Sequence, residues 1–167
     1  MAIATFPYVS LPLPANEAHP QGSIAHRPLA FATIKASSGA STRCIVMPDS
    51  GADACLFPLS LAKLLKLDIF SLPKGLTGGL GSGANTTYWD TIMIDLGHGI
   101  VFSAYTGFTQ GMDPMGLGLL GQDGFFERYR VEFLLSKSLS AISDSVAPLS
   151  RAAVVRVSRP AHIPSGG

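Results

Sequence analysis

Cys44-Ile45-Val46-Met47-Pro48-Asp49-Ser50-Gly51-Ala52-Asp53 is the stretch on which the reading of this chain turns. Its apolar start reads as the end of a β-strand that begins at Ser41. The Asp49 carboxylate follows at the strand end, with a small hydroxyl residue and a glycine behind it. That order puts an acid on a tight turn, and Gly51, having no Cβ, lets other backbone approach closely. Taken alone, Asp-Ser-Gly also describes an ordinary surface turn, in which Asp and Ser bond nearby backbone. The surrounding sequence has to separate the two.

Working outward, residues 28–36 and 41–47 are β-rich runs joined by the turn signal Ser37-Ser38-Gly39. Residues 3–11 read as an extended strand, and proline within it points to a sheet edge. Residues 15–27 read as a polar loop. The one long helical pattern is 58–66, with Pro58 at the first helical position and Leu61, Leu64 and Leu65 on one face. Residues 75–85 are glycine-rich and read as a turn or mobile loop. Residues 91–96 alternate, with Ile92, Ile94 and Leu96 on one side. Gly97-His98-Gly99 then predicts a hairpin turn into a strand over 100–108. A second glycine-rich approach, 111–121, ends in a short apolar run. One or two helical turns over 125–129, a strand over 130–135, a further strand over 152–157 and a frayed, mildly basic tail over 159–167 complete the reading. Many short strands around one helix predict an all-β, closed-barrel fold with one or two short helices.

Composition narrows the function classes. At 167 residues the chain suits one domain. It carries 12 Lys and Arg against 11 Asp and Glu, and only 14% charged residues, where about 25% is usual. The apolar content of 47% excludes a disordered chain, and the near-zero balance of charge leaves no electrostatic footprint for a nucleic acid. Cys44 and Cys55 form no Cys-x-x-Cys and read as small buried hydrophobes. His19, His26, His98 and His162 lack metal-ligand spacing, so no metal and no organic cofactor are expected. The N-terminus has no basic n-region, and Pro7, Pro12 and Pro14 interrupt any signal-like apolar core. No apolar run reaches spanning length, so a cytoplasmic protein without a membrane partner is expected.

A second signature meets the first. Gly118-Leu119-Leu120-Gly121-Gln122-Asp123 precedes Gly124-Phe125-Phe126, and Thr77-Gly78-Gly79-Leu80-Gly81-Ser82-Gly83 lies between the two motifs. Acid turn, helix, glycine-rich hairpin and apolar-apolar-Gly-x-Asp, in that order, resemble the retropepsin-like aspartic peptidases. The run 119–126 with Arg130-Val131-Glu132-Phe133 looks most like their bacterial branch. The resemblance covers about residues 28–133 and implies a closed barrel of the retropepsin, or acid protease, type. It makes Asp49 the catalytic acid and Ser50 the hydroxyl that braces the active-site loops across a dimer. Gly51, Gly121 and Asp123 become supports of that loop. Gly51, Ala52 and Asp53 line a cleft for substrate main chain, and Gly78, Gly79, Leu80 and Gly81 belong to a flap over bound peptide. Two departures stand out. Gln122 holds a position where the family usually has Arg, and Pro48 directly precedes the acid.

Peptide hydrolysis by such a site needs two carboxylates, one ionised to take a proton from water and one neutral to polarise the carbonyl. The chain has a single Asp-Ser-Gly, and Asp144-Ser145-Val146 fails the pattern, so the resemblance implies a homodimer that supplies Asp49 twice. An aspartic endopeptidase acting on a peptide or protein is therefore the first expectation. A catalytically inactive peptide-binding or dimerisation module of the same fold is the second. Residues 1–27 are read as an N-terminal extension forming an edge or interface strand, 28–135 as the peptidase domain, and 136–167 as a C-terminal strand and tail. Gly79-Leu80-Gly81-Ser82-Gly83-Ala84 also fits the dinucleotide fingerprint in form, but Pro73-Lys74-Gly75 before it does not read as a strand and Asn85-Thr86-Thr87-Tyr88 after it does not read as a helix.

Overall fold

Alternation decides the barrel. In Ala30–Lys35 the residues Ala30, Ala32 and Ile34 are buried while Phe31, Thr33 and Lys35 face out. Ile92 and Ile94 repeat the pattern in Asn85–Asp95, as do Phe102 and Ala104 in Val101–Thr109. A two-residue period with one greasy face makes each segment a strand that must turn that face onto others. Each fully buried Ile or Phe contributes roughly 1.5–3 kcal/mol.

The structure, a computed structural model, describes residues 4–79, 83–137 and 139–144. Its elements in chain order are β1 (Ala4–Pro7), β2 (Val9–Leu13), β3 (Ser23–Arg27), β4 (Ala30–Lys35), β5 (Ser41–Pro48), β6 (Leu56–Pro58) and α1 (Leu59–Leu64). They continue as β7 (Lys74–Thr77), β8 (Asn85–Asp95), β9 (Val101–Thr109), a 3₁₀ helix (Gln110–Met115), β10 (Gly118–Leu120), β11 (Tyr129–Leu134), a short 3₁₀ turn (Leu135–Lys137) and β12 (Leu139–Asp144). The main sheet runs β4-β5-β10-β6-β9-β8-β7, and a further pairing of β4 with β8 closes six of its strands into a barrel. Ile34 opposite Ile94 marks the seam. Because β8 is long, its first half pairs with β7 and its second half with β4. The all-β closed barrel with short helices is therefore as expected.

Phe57, Phe108, Phe125, Ile34 and Leu65 fill the interior with no exposed surface. The terminal sheet, in order β1-β12-β11, adds Ala4, Phe6 and Ile142 to the same core. Proline-marked β1 lies at its edge, as read from Pro7.

Several local expectations change. The strand over 3–11 breaks at Tyr8 into β1 and β2. The polar loop over 15–27 ends in β3, which pairs with β2 as a hairpin, because Ile24 and Ala25 find cross-strand partners in Pro12 and Leu11. The glycine-rich 75–85 is a strand at its start, β7, laid against β8. Helix α1 is shorter than 58–66: Pro58 sits at the cap, and Lys66 takes a left-handed φ of 55° that stops it. Its inward face is Ala62 and Leu65, which leaves Leu64 exposed. Residues 125–129 make hydrogen-bonded turns, with the Arg128 and Tyr129 amides both donating to the Phe125 carbonyl, and no helix forms. Strand β12 has no distinct signal in the sequence. The expected strand over 152–157 and the tail over 159–167 lie outside the described residues.

Gly118 shows how tightly β10 is packed: a Cβ there would lie 2.5 Å from the Phe57 ring. Gly118→Ala is expected to cost about 1–3 kcal/mol by overpacking, read from urea unfolding. Gly78→Ala, where a Cβ meets nothing within 4 Å, is the matched control and is expected to stay within about 0.5 kcal/mol of the parent.

Candidate active site

Strand β10 lies between β5 and β6, parallel to β5 through Leu119–Met47 and Leu120–Pro48, and antiparallel to β6 through Leu119–Leu56. The chain that leaves β5 must therefore cross the end of β10 to enter β6. That crossing is residues 49–55, and the segment leaving β10, residues 121–124, passes beneath it. Both sequence motifs meet at this crossing.

Backbone joins the two layers. The Asp49 amide donates to the Leu120 carbonyl at 3.0 Å, the Gln122 amide to Ala52 at 2.8 Å and the Asp123 amide to Asp53 at 2.8 Å. Ala54 and Asp123 form a parallel bridge, and the Cys55 thiol reaches the Asp123 carbonyl at 3.5 Å. Only glycine fits at 121, because a Cβ would run into the carbonyl of Ala54 and lie 2.7 Å from that of Ala52. Pro48 does no harm here: the donor onto β10 is the amide of Asp49, so the N–H that Pro48 lacks is not the one that ties the acid to Leu120.

Within the crossing, Asp49 Oδ1 accepts from the Gly51 amide at 2.9 Å, and the Asp49 carbonyl accepts from the Ala52 amide at 3.1 Å. This is an Asx-type turn that fixes the carboxylate at the strand end. Among the described residues no group bonds Oδ2, and Asp49 is half-buried, so one carboxylate oxygen stays available. Ser50, Gly51 and Asp53 are exposed, whereas Ala52 packs against the cluster of Leu56, Met112 and Leu119. The Gln122 side chain donates from Nε2 to the Ser50 carbonyl at 3.0 Å. A neutral amide thus braces the turn from below. Asp123 supports the loop through its backbone, while its side chain is exposed.

The structure brings Asp49, Ser50, Gly51, Ala52, Asp53, Gly121 and Asp123 together. Gly78 and Gly79 stand apart at the tip of the β7–β8 hairpin, where a Cβ on either would meet nothing within 4 Å. Leu80 and Gly81 lie outside the described residues. The hairpin stem is pinned by a hydrogen bond of 2.7 Å from Thr87 Oγ1 to Thr77 Oγ1.

A cleft of about 580 Å³ backs onto the crossing through Ala54 and Asp123 without reaching Asp49. Trp89 and Tyr105, stacked at 5.5 Å, line its far wall. Their pairing across β8 and β9 joins residues far apart in sequence, and no motif signals it.

Burial disfavours the thiolate form of both cysteines. It pushes the thiols of Cys44 and Cys55 up to about 11, so both stay protonated and non-nucleophilic at neutral pH. Cys55 is fully buried and Cys44 partly so. Among the described residues no group of His, Cys, Asp and Glu side chains is arranged to hold a metal.

No family model matches the chain, and no curated protein matches it. Among solved structures, the chain is similar to a retropepsin-like aspartic protease from Rickettsia conorii, at 16% identity and a TM-score of 0.48, over 84% of this chain and 93% of that one.

Gln122→Glu keeps the side-chain shape and removes the donor to Ser50. The lost bond is worth about 0.5–1.5 kcal/mol, so the fold is expected to persist. Hydrogen exchange at the Gly51 and Ala52 amides is expected to quicken, and Gln122→Lys, which restores a donor, is expected to slow it again. Unchanged exchange in Gln122→Glu would show that the brace does not hold the turn.

Proposed function

We propose that the protein is an aspartic endopeptidase whose catalytic centre forms when two copies bring their Asp49 carboxylates together. The observation that carries this reading is the Asp49 turn: one carboxylate oxygen is fixed by the Gly51 amide, the other has no partner among the described residues, and the turn is tied to Leu120. Positioning of this kind holds a reacting group in place before substrate arrives. The resemblance of the two sequence motifs to retropepsin-like peptidases points the same way.

Two carboxylates close together cannot both ionise, so the pair holds one proton. The ionised Asp49 takes a proton from water, and the water oxygen bonds to the peptide carbonyl carbon. The protonated Asp49 of the second copy donates to the carbonyl oxygen as charge develops on it. The first Asp49, now protonated, gives its proton to the amide nitrogen while the second takes one back from a hydroxyl of the tetrahedral intermediate, so the C–N bond breaks to a carboxylic acid and an amine and the pair again holds one proton. Peptide would lie extended along Gly51, Ala52 and Asp53, held by main-chain bonds as an added strand, with the β7–β8 hairpin as its cover. The low charge of the chain fits apolar side-chain pockets.

Mass spectrometry of a mixed peptide library incubated from about pH 4 to 7 tests this. Wild type is expected to cleave and to be blocked by pepstatin. Asp49→Asn is expected to lose at least about a thousandfold in rate while remaining folded. Cleavage retained by Asp49→Asn, or no cleavage by a folded wild-type dimer, overturns the reading, and the second outcome leaves a peptide-binding module.

A further inference from the structure

The β2–β3 hairpin is not part of the barrel. It is a two-stranded sheet of its own, with Leu11 opposite Ala25 and Leu13 opposite Ser23. None of its residues enters the hydrophobic core, and every residue of β2 is exposed. Cross-strand partners share a face, so Val9, Leu11, Leu13 and Ala25 make one apolar row, and Ile24, 64% exposed, lies on the other face. An isolated two-stranded hairpin is at best marginally stable in water. Yet this one is built with care. Asn16 and His19 close its turn by exchanging backbone bonds, and Ser10 Oγ meets His26 Nδ1 across the strands at 3.0 Å. Gly22 takes a φ of 76° where a Cβ would lie 2.7 Å from the Leu13 carbonyl. Both ends are anchored, since β1 before it and β4 after it are core strands.

We propose that this hairpin is a dimerisation arm, which each copy lays across the β4–β5 outer face of the other. The proposal rests on the homodimeric reading above, in which one Asp49 per chain leaves the site incomplete without a second copy. The receiving face matches the arm in order. Phe31, 66% exposed, sits opposite Ile45, and the two line a shallow hollow with Arg43. Further along the same strands the outward residues become cationic, Arg43 and then Lys35. The arm runs from Val9, Leu11 and Leu13 to a turn that carries Glu17, the sole acid before Asp49 in the sequence. Laid tip towards Lys35, it puts leucines on Phe31 and Ile45 and Glu17 beside the cations. Ile45 lies four residues before Asp49, roughly 13 Å along the strand, so the receiving face is close to the axis on which two Asp49 side chains would meet.

Sedimentation equilibrium of the full chain tests the arm without relying on cleavage. Leu11→Asp and Glu17→Lys are each expected to weaken the dimer by about tenfold, the scale of one well-placed interface residue. Arg43→Glu combined with Glu17→Lys is expected to restore the parent affinity. Glu17 lies in an exposed turn, so its variant keeps the test open if Leu11→Asp fails to fold. Parent-like dimerisation in Glu17→Lys, no rescue by the charge swap, or a wild-type chain that stays monomeric overturns the arm. If the arm variants weaken the dimer while Asp49→Asn cleaves like wild type, the peptidase reading fails and the arm stands. If the arm variants dimerise and cleave normally while Asp49→Asn is inactive, only the arm fails.

Discussion

The crossing of residues 49–55 over 121–124 is the constraint on which the rest of this structure depends. A carboxylate on a loop would wander, whereas here three backbone amides tie the layers at 2.8–3.0 Å. The fit leaves no room for a Cβ at Gly121. Those bonds form only if β10 is threaded between β5 and β6, so the site and the barrel are one construction. Burial reinforces it: Leu120 and Phe57, on two of the strands that bracket the crossing, are fully buried. Loosening β10 would therefore free Asp49 and open the core together.

What the sequence made legible follows from what is local. Asp49-Ser50-Gly51 is a turn whose chemistry is written in adjacent residues, and the alternation of Ile92, Ile94 and Leu96 needs no partner to be read. Gly121 was legible as a support because it belongs to a motif, although the reason for a glycine there, the carbonyls of Ala52 and Ala54, appears only in space. The larger misses are non-local. The amide of Ser60 near the start of α1 bonds Asp113 Oδ1 at 3.0 Å, a cap contributed by the 3₁₀ helix that Pro58 gave no hint of. Strand β12 is held by β1 and β11, from opposite ends of the chain. In β3, Ser23, His26 and Arg27 masked the two apolar residues that pair with β2.

Gln122 shows how a departure from a family pattern can be absorbed. An Arg would bring a full charge to this layer. The amide brings a donor alone, and it is spent on the Ser50 carbonyl, inside the turn it supports. Hydrogen bonding to a neutral carbonyl needs no cation, so the brace survives the loss of charge. The electrostatic consequence is different. No guanidinium stands at 122 to favour ionised carboxylates nearby, and Asp53 is left exposed without a charged partner among the described residues. Geometry and charge, which one Arg would have coupled, are separated here.

That separation bears on how two copies would meet. A chain with a net charge of +1 has little long-range field to orient a partner, so association has to rest on surfaces that match at short range. The barrel keeps its apolar residues inside except along a few rows, and the row on β2 is the one set on a hairpin with no core beneath it. On the dimeric reading proposed above, a half-site tied down by backbone and neutral in its brace depends on its partner being placed correctly. An anchored, well-formed hairpin is suited to that, because its ordering cost is met before the second copy arrives and the contact then adds to affinity without an entropic penalty of folding.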